Sequence, residues 1–126
     1  MTKKIKNIIG WVLTVLVAFA LVSSGIMKLM GTEQVIKGAA IMGLSLHKIK
    51  LLGMVEIISA LLFIIPRTGL LGTLLLAAYM GGAIATHLEH QFPIYVPVII
   101  ECLVWIAATL RFPELSKRLM GRNEIV

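Results

Sequence analysis

Four ionisable side chains interrupt the hydrophobic stretches of this sequence, and their types are suited to binding or proton transfer: Lys28, Glu56, His87 and Glu101. An isolated carboxylate in hydrocarbon is costly unless it is paired, protonated or reached by water. We therefore expect Glu56 and Glu101 to face the interior of a helical bundle. Lys28 is the expected partner of Glu56, and His87 is expected within hydrogen-bonding reach of either carboxyl group. Two interpretations stay open: a functional site, or a buried network that fixes helix register and binds nothing.

Composition places these residues in a membrane protein. The chain has 126 residues, of which 59% are hydrophobic and 14% charged, whereas a soluble domain carries roughly 25% charged residues. The net charge of +6 is best explained by basic segments retained at the cytoplasmic face, not by nucleic-acid binding. Cys102 is the single cysteine. The chain therefore lacks the paired thiols that thiol–quinone oxidoreductases require.

The elements that must position the four residues are hydrophobic spans, predicted at about residues 8–28, 50–65, 68–87 and 94–110 of a single domain, 1–126. The third is the clearest, because residues 68–86 carry no charge. At ~1.5 Å per residue they extend roughly 29 Å, the thickness of a bilayer hydrocarbon core. The predicted fold is an all-α membrane protein, a four-transmembrane-helix bundle.

Small residues in the second half of the third span predict close packing of another helix. They form two rows with a spacing of four, Ala77, Gly81 and Ala85 in one row and Ala78, Gly82 and Thr86 in the other. Such rows let helix backbones approach closely in lipid. This interpretation is favoured over a glycine hinge or a ligand cradle.

The connection between the first two spans predicts a short amphipathic helix at the membrane surface. Thr32 can cap a helix whose first turn holds Glu33 and Gln34, and apolar residues then recur at helical spacing up to Gly43. A re-entrant segment is disfavoured by the basic residues Lys37, His47, Lys48 and Lys50. A second short surface helix is predicted in the tail that holds Lys117, Arg118 and Arg122.

Topology brings the four ionisable residues together. If both termini are cytoplasmic, eight Lys and Arg residues lie inside and four outside, as the positive-inside rule favours. Lys28, Glu56, His87 and Glu101 then all fall in the outer half of one bundle. Metal-ligand spacings such as H-x-x-H do not repeat, so we expect no metal. Tyr79 is interpreted as a packing residue, although an aromatic-lined apolar pocket would also suit a quinone or another isoprenoid ring.

Several motifs together resemble the DoxX-like membrane proteins. They are S-S-G-I-M-K-L at 23–29, Glu56, I-P-R-T-G-L-L-G at 65–72, Y-M-G-G-A-I-A-T-H-L at 79–88 and W-I-A-A-T-L-R-F-P at 105–113. Each is weak alone, but their order covers nearly the whole chain. Phe112 departs from the family pattern, in which a polar residue is common. The resemblance implies a four-helix protein of the bacterial inner membrane. Its wider relatives include a subunit of a thiosulfate–quinone oxidoreductase and partners of oxidative-stress enzymes.

Three functions remain as hypotheses. In the first, the protein is an accessory of a quinone-linked or redox-stress system, in which Lys28 and His87 bind a quinone carbonyl and Glu56 or Glu101 relays a proton. In the second, a homodimer formed through the small-residue face transports cations or amphiphiles with protons. In the third, the protein is a structural anchor or assembly factor without a ligand. No residue is assigned a catalytic role; the expected partners are the lipid bilayer, a redox-enzyme subunit or a second copy.

Overall fold

The structure, a computed structural model, describes residues 2–121, and over this range it is all-helical. Its helices are α1 (Lys3–Met30), α2 (Glu33–Ile41), α3 (Leu46–Ile64), α4 (Gly69–Glu89), α5 (Tyr95–Arg111) and α6 (Pro113–Leu119), and a 3-10 turn (Pro66–Thr68) joins α3 to α4. The predicted all-α fold is confirmed. The tail helix α6 is present, although Arg122 lies outside the described residues.

Side-chain caps determine where α2 and α3 begin. The Thr32 hydroxyl accepts a hydrogen bond from the amide of Val35 at 3.4 Å, as predicted. The chain leaves α2 through Gly43, whose φ of 73° suits glycine. Ser45 then accepts from the amide of Lys48 at 3.3 Å. With this cap, α3 begins at Leu46 and not at the predicted residue 50. The prediction was late because it followed the apolar run, and the first turn of α3 precedes that run.

Four long helices form the bundle. α1 packs against α3 and α5, and α4 packs against the same two helices, while α2 lies against α3. The core lies where these helices meet and contains Leu21, Phe63, Leu76, Met80 and Val104. Many large apolar side chains point outwards instead, among them Phe19 at 74% exposure. An apolar exterior of this kind is suited to lipid.

Two helices are long and apolar enough to cross a membrane: α1, and α4 with the turn before it, Pro66–Glu89. A third qualifies if α5 and α6, which meet at a bend of 113°, are taken as one broken span. The predicted four crossings are therefore not established by length and composition. α3 has Lys48 and Lys50 in its first turns, so its uncharged part is too short for a full apolar span. α5 has only 17 residues, which is also short of a full span.

The end of the bundle opposite the polar residues is tightly closed. At Gly72 the backbone of Phe63 approaches so closely that a Cβ atom would overlap it, so α3 and α4 are in backbone contact there. Arg111 joins three helices: Nη1 donates to the Thr14 hydroxyl at 3.1 Å and to the Phe63 carbonyl at 2.8 Å, and Nη2 donates to the Ile64 carbonyl at 3.3 Å. Its guanidinium also lies 4.1 Å from the centre of the Trp11 ring.

Most of the small residues that form the two predicted rows on α4 are exposed in the described part of the chain. Ala78, Gly81, Gly82 and Ala85 are exposed, and a Cβ atom built at Gly81 or Gly82 meets nothing within 4 Å among the described residues. α4 instead packs through the buried residues Gly69, Gly72, Thr73, Leu76 and Met80. Packing of these rows, Ala77 included, against a helix of another chain stays a prediction.

Candidate ligand-binding site

An ion pair between α1 and α3 anchors the site, as the sequence predicted. Lys28 Nζ lies 2.8 Å from Glu56 Oε1 and donates a second hydrogen bond of 2.8 Å to the Ser24 hydroxyl. Glu56 is almost fully buried, with 3% of its side chain exposed, whereas Lys28 retains 21%. Burial at this depth is tolerated because the two charges compensate each other at hydrogen-bonding distance.

Two glycines let the helices approach closely enough to form this pair. A Cβ atom at Gly53 would lie 2.8 Å from the carbonyl oxygen of Gly25 and 3.0 Å from Lys28 Cβ. α1 and α3 are therefore in backbone contact one turn from the ion pair. The local sequence accounts for the geometry, since Gly25 precedes Lys28 by three residues and Gly53 precedes Glu56 by three.

The ion pair lines a cavity of about 1080 Å³ at the same end of the bundle. α1 to α5 and the connection before α5 contribute its walls, and the lining is predominantly apolar. α2 lines one side with Val35, Gly38 and Ala39. The volume is slightly above the ~300–1,000 Å³ typical of small-molecule pockets.

The small residues of α4 form one wall of this cavity. Ala78, Gly82, Ala83 and Thr86 line it, whereas Gly81 does not. The open space beside Gly82 is therefore cavity. This placement corresponds to the ligand cradle that the sequence ranked below helix packing. The sequence pattern does not distinguish the two, because both require small side chains.

His87 lies on the cavity wall with one ring nitrogen engaged. Its Nδ1 is 2.6 Å from the carbonyl oxygen of Ala83, one turn earlier, and its ring meets Phe92 edge-on with centroids 6.0 Å apart. In the described part of the chain it bonds neither Glu56 nor Glu101. His90 makes the same kind of bond, Nδ1 to the carbonyl of Thr86 at 3.0 Å, but does not line the cavity.

Glu101 is the one predicted site residue that the structure places elsewhere. It does not line the cavity, and its Oε2 is buried without a hydrogen-bond partner among residues 2–121. The Trp105 side chain, one turn later on α5, interacts with the Glu101 carboxyl group. Lys28, Glu56 and His87 thus come together, and Glu101 does not join them.

Tyr79 belongs to the site, although sequence interpretation assigned it to packing. Its side chain lines the cavity and interacts with the Glu56 carboxylate. A signal was available, because a half-buried tyrosine hydroxyl in an uncharged helix needs a hydrogen-bond partner. Among the described residues, no three His, Cys, Asp or Glu side chains form a metal-ligand group. The polar groups that line the site are a cation, a carboxylate, a phenol and an imidazole, beside an apolar cavity.

Comparison with known proteins adds one match. A sequence model described as the DoxX-like family covers residues 12–108. No curated protein and no solved structure matches the chain.

Proposed function

The chain belongs to the DoxX-like family, and from that premise we propose that it is a bacterial inner-membrane protein that binds an apolar ring ligand of the quinone type. In this proposal α1, α3, α4 and α5 all cross the bilayer, with both termini cytoplasmic. α3 and α5 have 19 and 17 residues, which at ~1.5 Å per residue extend roughly 28 and 26 Å. These lengths are slightly below a hydrocarbon core of ~30 Å, a difference that modest local thinning of the bilayer accommodates.

The cavity carries the proposal. It combines about 1080 Å³ of predominantly apolar space with a few polar side chains contributed by α1, α3 and α4. Binding sites for cofactors and small molecules have this composition, in which apolar walls hold the body of the ligand and a few polar atoms orient its head. A ring bearing oxygen atoms and an isoprenoid tail fits both parts.

In the bound state, Lys28 would donate a hydrogen bond to a ring oxygen. Glu56 lies 2.8 Å from the Lys28 ammonium and interacts with Tyr79, so it is placed to accept or return a proton when the ligand changes its protonation state. Such a site suits an accessory subunit of a redox system, because it holds a membrane-soluble redox carrier without needing a metal.

The geometry of Glu56 argues against the cation-transport hypothesis. A transported cation needs a carboxylate with free lone pairs, whereas Glu56 is already compensated by Lys28 and is 3% exposed. A purely structural anchor, for its part, gains nothing from a large chamber beside its ion pair, because voids reduce packing.

Adjacent glycines offer a matched test of ligand binding. Gly82→Leu fills the cavity, whereas Gly81→Leu adds the same side chain to an open surface outside the cavity lining. We would titrate a decyl-substituted benzoquinone into each purified protein in mild detergent and count bound ligand by native mass spectrometry. Wild type and Gly81→Leu should bind one equivalent, and Gly82→Leu should bind at least about tenfold more weakly.

The proposal is wrong if wild type binds neither this quinone nor its reduced hydroquinone form, or if Gly82→Leu binds as well as Gly81→Leu while both retain wild-type helicity by circular dichroism. Lipid extraction of protein purified from its own membrane provides the native counterpart, because a stoichiometric ring compound should co-purify with wild type.

The proposed topology is tested separately by thiol labelling. With Cys102 replaced by serine, a cysteine at Gly43 should react with a membrane-impermeant maleimide added to intact cells. A cysteine at Lys4 should react only after permeabilisation. The reverse pattern would overturn the proposed orientation. If both cysteines react from the same side of the membrane, α1 does not cross the bilayer and the proposed topology is wrong.

A further inference from the structure

Some polar atoms of the cavity lining still have unused hydrogen-bonding capacity, and their type indicates which chemical form of the ligand the cavity prefers. This inference rests on the proposed function. Lys28 carries three N–H donors. Two are occupied, by Ser24 and by Glu56, each at 2.8 Å. Because the side chain is 21% exposed and lines the cavity, one donor remains available to a ligand.

His87 presents the opposite character. Its Nδ1 lies 2.6 Å from the Ala83 carbonyl oxygen, and because a carbonyl only accepts, Nδ1 must carry the proton. In the neutral imidazole the other nitrogen, Nε2, is then unprotonated and accepts hydrogen bonds. No hydrogen bond joins Nε2 to any residue between 2 and 121. His87 lines the cavity, and the ring nitrogen that its backbone contact leaves for a ligand is therefore an acceptor.

We infer that the cavity selects the hydroxylated, reduced form of its ring ligand, a quinol or related phenol, over the carbonyl form. One hydroxyl of a quinol can accept from Lys28, and another can donate to His87 Nε2. A quinone has only acceptors, so its oxygen would face the Nε2 lone pair without a proton between them. This assignment reverses the role predicted for His87 from sequence, where it donated to a quinone carbonyl.

Matched histidine variants isolate this effect. His87→Phe keeps an aromatic ring on the wall and removes the acceptor. His90→Phe makes the same change at a residue that has the same kind of backbone hydrogen bond but lies outside the cavity lining. The probes are a decyl-substituted benzoquinone and its hydroquinone, which are nearly equal in size and are titrated anaerobically in the same buffer. The measured quantity is the ratio of the two dissociation constants.

We expect hydroquinone to bind roughly 2- to 10-fold more tightly than quinone in wild type and His90→Phe, the effect of one net hydrogen bond. The ratio should fall to about 1 in His87→Phe. Equal or tighter quinone binding by wild type, or an unchanged ratio in His87→Phe, would overturn the inference while leaving the proposed function intact. Failure of both probes to bind wild type would overturn both.

A spectroscopic measurement keeps the inference testable if His87→Phe does not fold. In protein labelled with ¹⁵N-histidine, the His87 signals should show a protonated Nδ1 and an unprotonated Nε2, with His90→Phe aiding assignment. The opposite tautomer would refute the inference, because Nε2 would then be a donor.

Discussion

Replacing both members of the Lys28–Glu56 pair should be far less harmful than replacing Lys28 alone, and far less harmful than the two single effects added together. Lys28→Met leaves the Glu56 carboxylate, 3% exposed, without its cation. Breaking a buried ion pair costs ~3–5 kcal/mol, and we expect about 3 kcal/mol because Glu56 borders the cavity. Glu56→Leu should cost about 1–2 kcal/mol, since Lys28 is 21% exposed and keeps its bond to Ser24.

The double variant removes both charges and fills the contact with apolar side chains, so it should lie within about 1 kcal/mol of wild type. The two single effects sum to about 4–5 kcal/mol, which leaves a coupling energy of about 3 kcal/mol or more. The assay is reversible unfolding of detergent-solubilised protein by added sodium dodecyl sulfate, followed by tryptophan fluorescence of Trp11 and Trp105.

A second ion pair provides the control for this double-mutant cycle. Glu33 and Lys37 on α2 are 3.2 Å apart but 84% and 73% exposed, so their coupling should not exceed about 0.5 kcal/mol. A Lys28/Glu56 double variant destabilised by the full sum of its single effects would refute the reasoning. The folded double variant should also lose hydroquinone binding, which a purely structural role for the pair does not predict.

Two further changes probe the closed end of the bundle by the same unfolding assay. Gly72→Ala should lower the free energy of unfolding by about 1–3 kcal/mol, because its Cβ overlaps the Phe63 backbone. The control Gly81→Ala should be neutral or stabilising by up to about 1 kcal/mol. Equal effects of the two changes would contradict the close approach of α3 and α4 at Gly72. Arg111→Lys should cost about 2 kcal/mol or more, since an ammonium does not reproduce the planar hydrogen-bonding fork. The exposed Arg67→Lys should stay within about 0.5 kcal/mol, and comparable losses at both arginines would argue against a special role for Arg111.

Contacts were predictable from the sequence where a residue needs a partner and the chain offers few candidates for it. A carboxylate in an apolar helix needs a cation, and Lys28 was the nearest candidate, so the pair with Glu56 was predictable. Thr32 at the start of α2 was predictable for the same reason, because an uncapped amide in the first turn needs an acceptor.

The sequence did not predict features that depend on how far a helix is rotated about its own axis. Val104, Ala107 and Ala108 of α5 pack into the core, and with this rotation of the helix Glu101 does not line the cavity. The bonds of Arg111 were also out of reach, since Phe63 and Thr14 lie 48 and 97 residues away in sequence. The tautomer of His87 follows from one backbone contact that sequence spacing does not specify.

The contrast between the two ends of the bundle has a mechanical consequence. Arg111 and the Gly72 contact fix α1, α3, α4 and α5 to one another at one end, whereas the other end surrounds a chamber. The fixed end acts as a pivot, and the displacement of a helix that tilts about it grows with distance along the helix. A tilt of one or two degrees therefore changes the mouth of the chamber most and the tight contacts least, so the site can vary in width while the core keeps its packing.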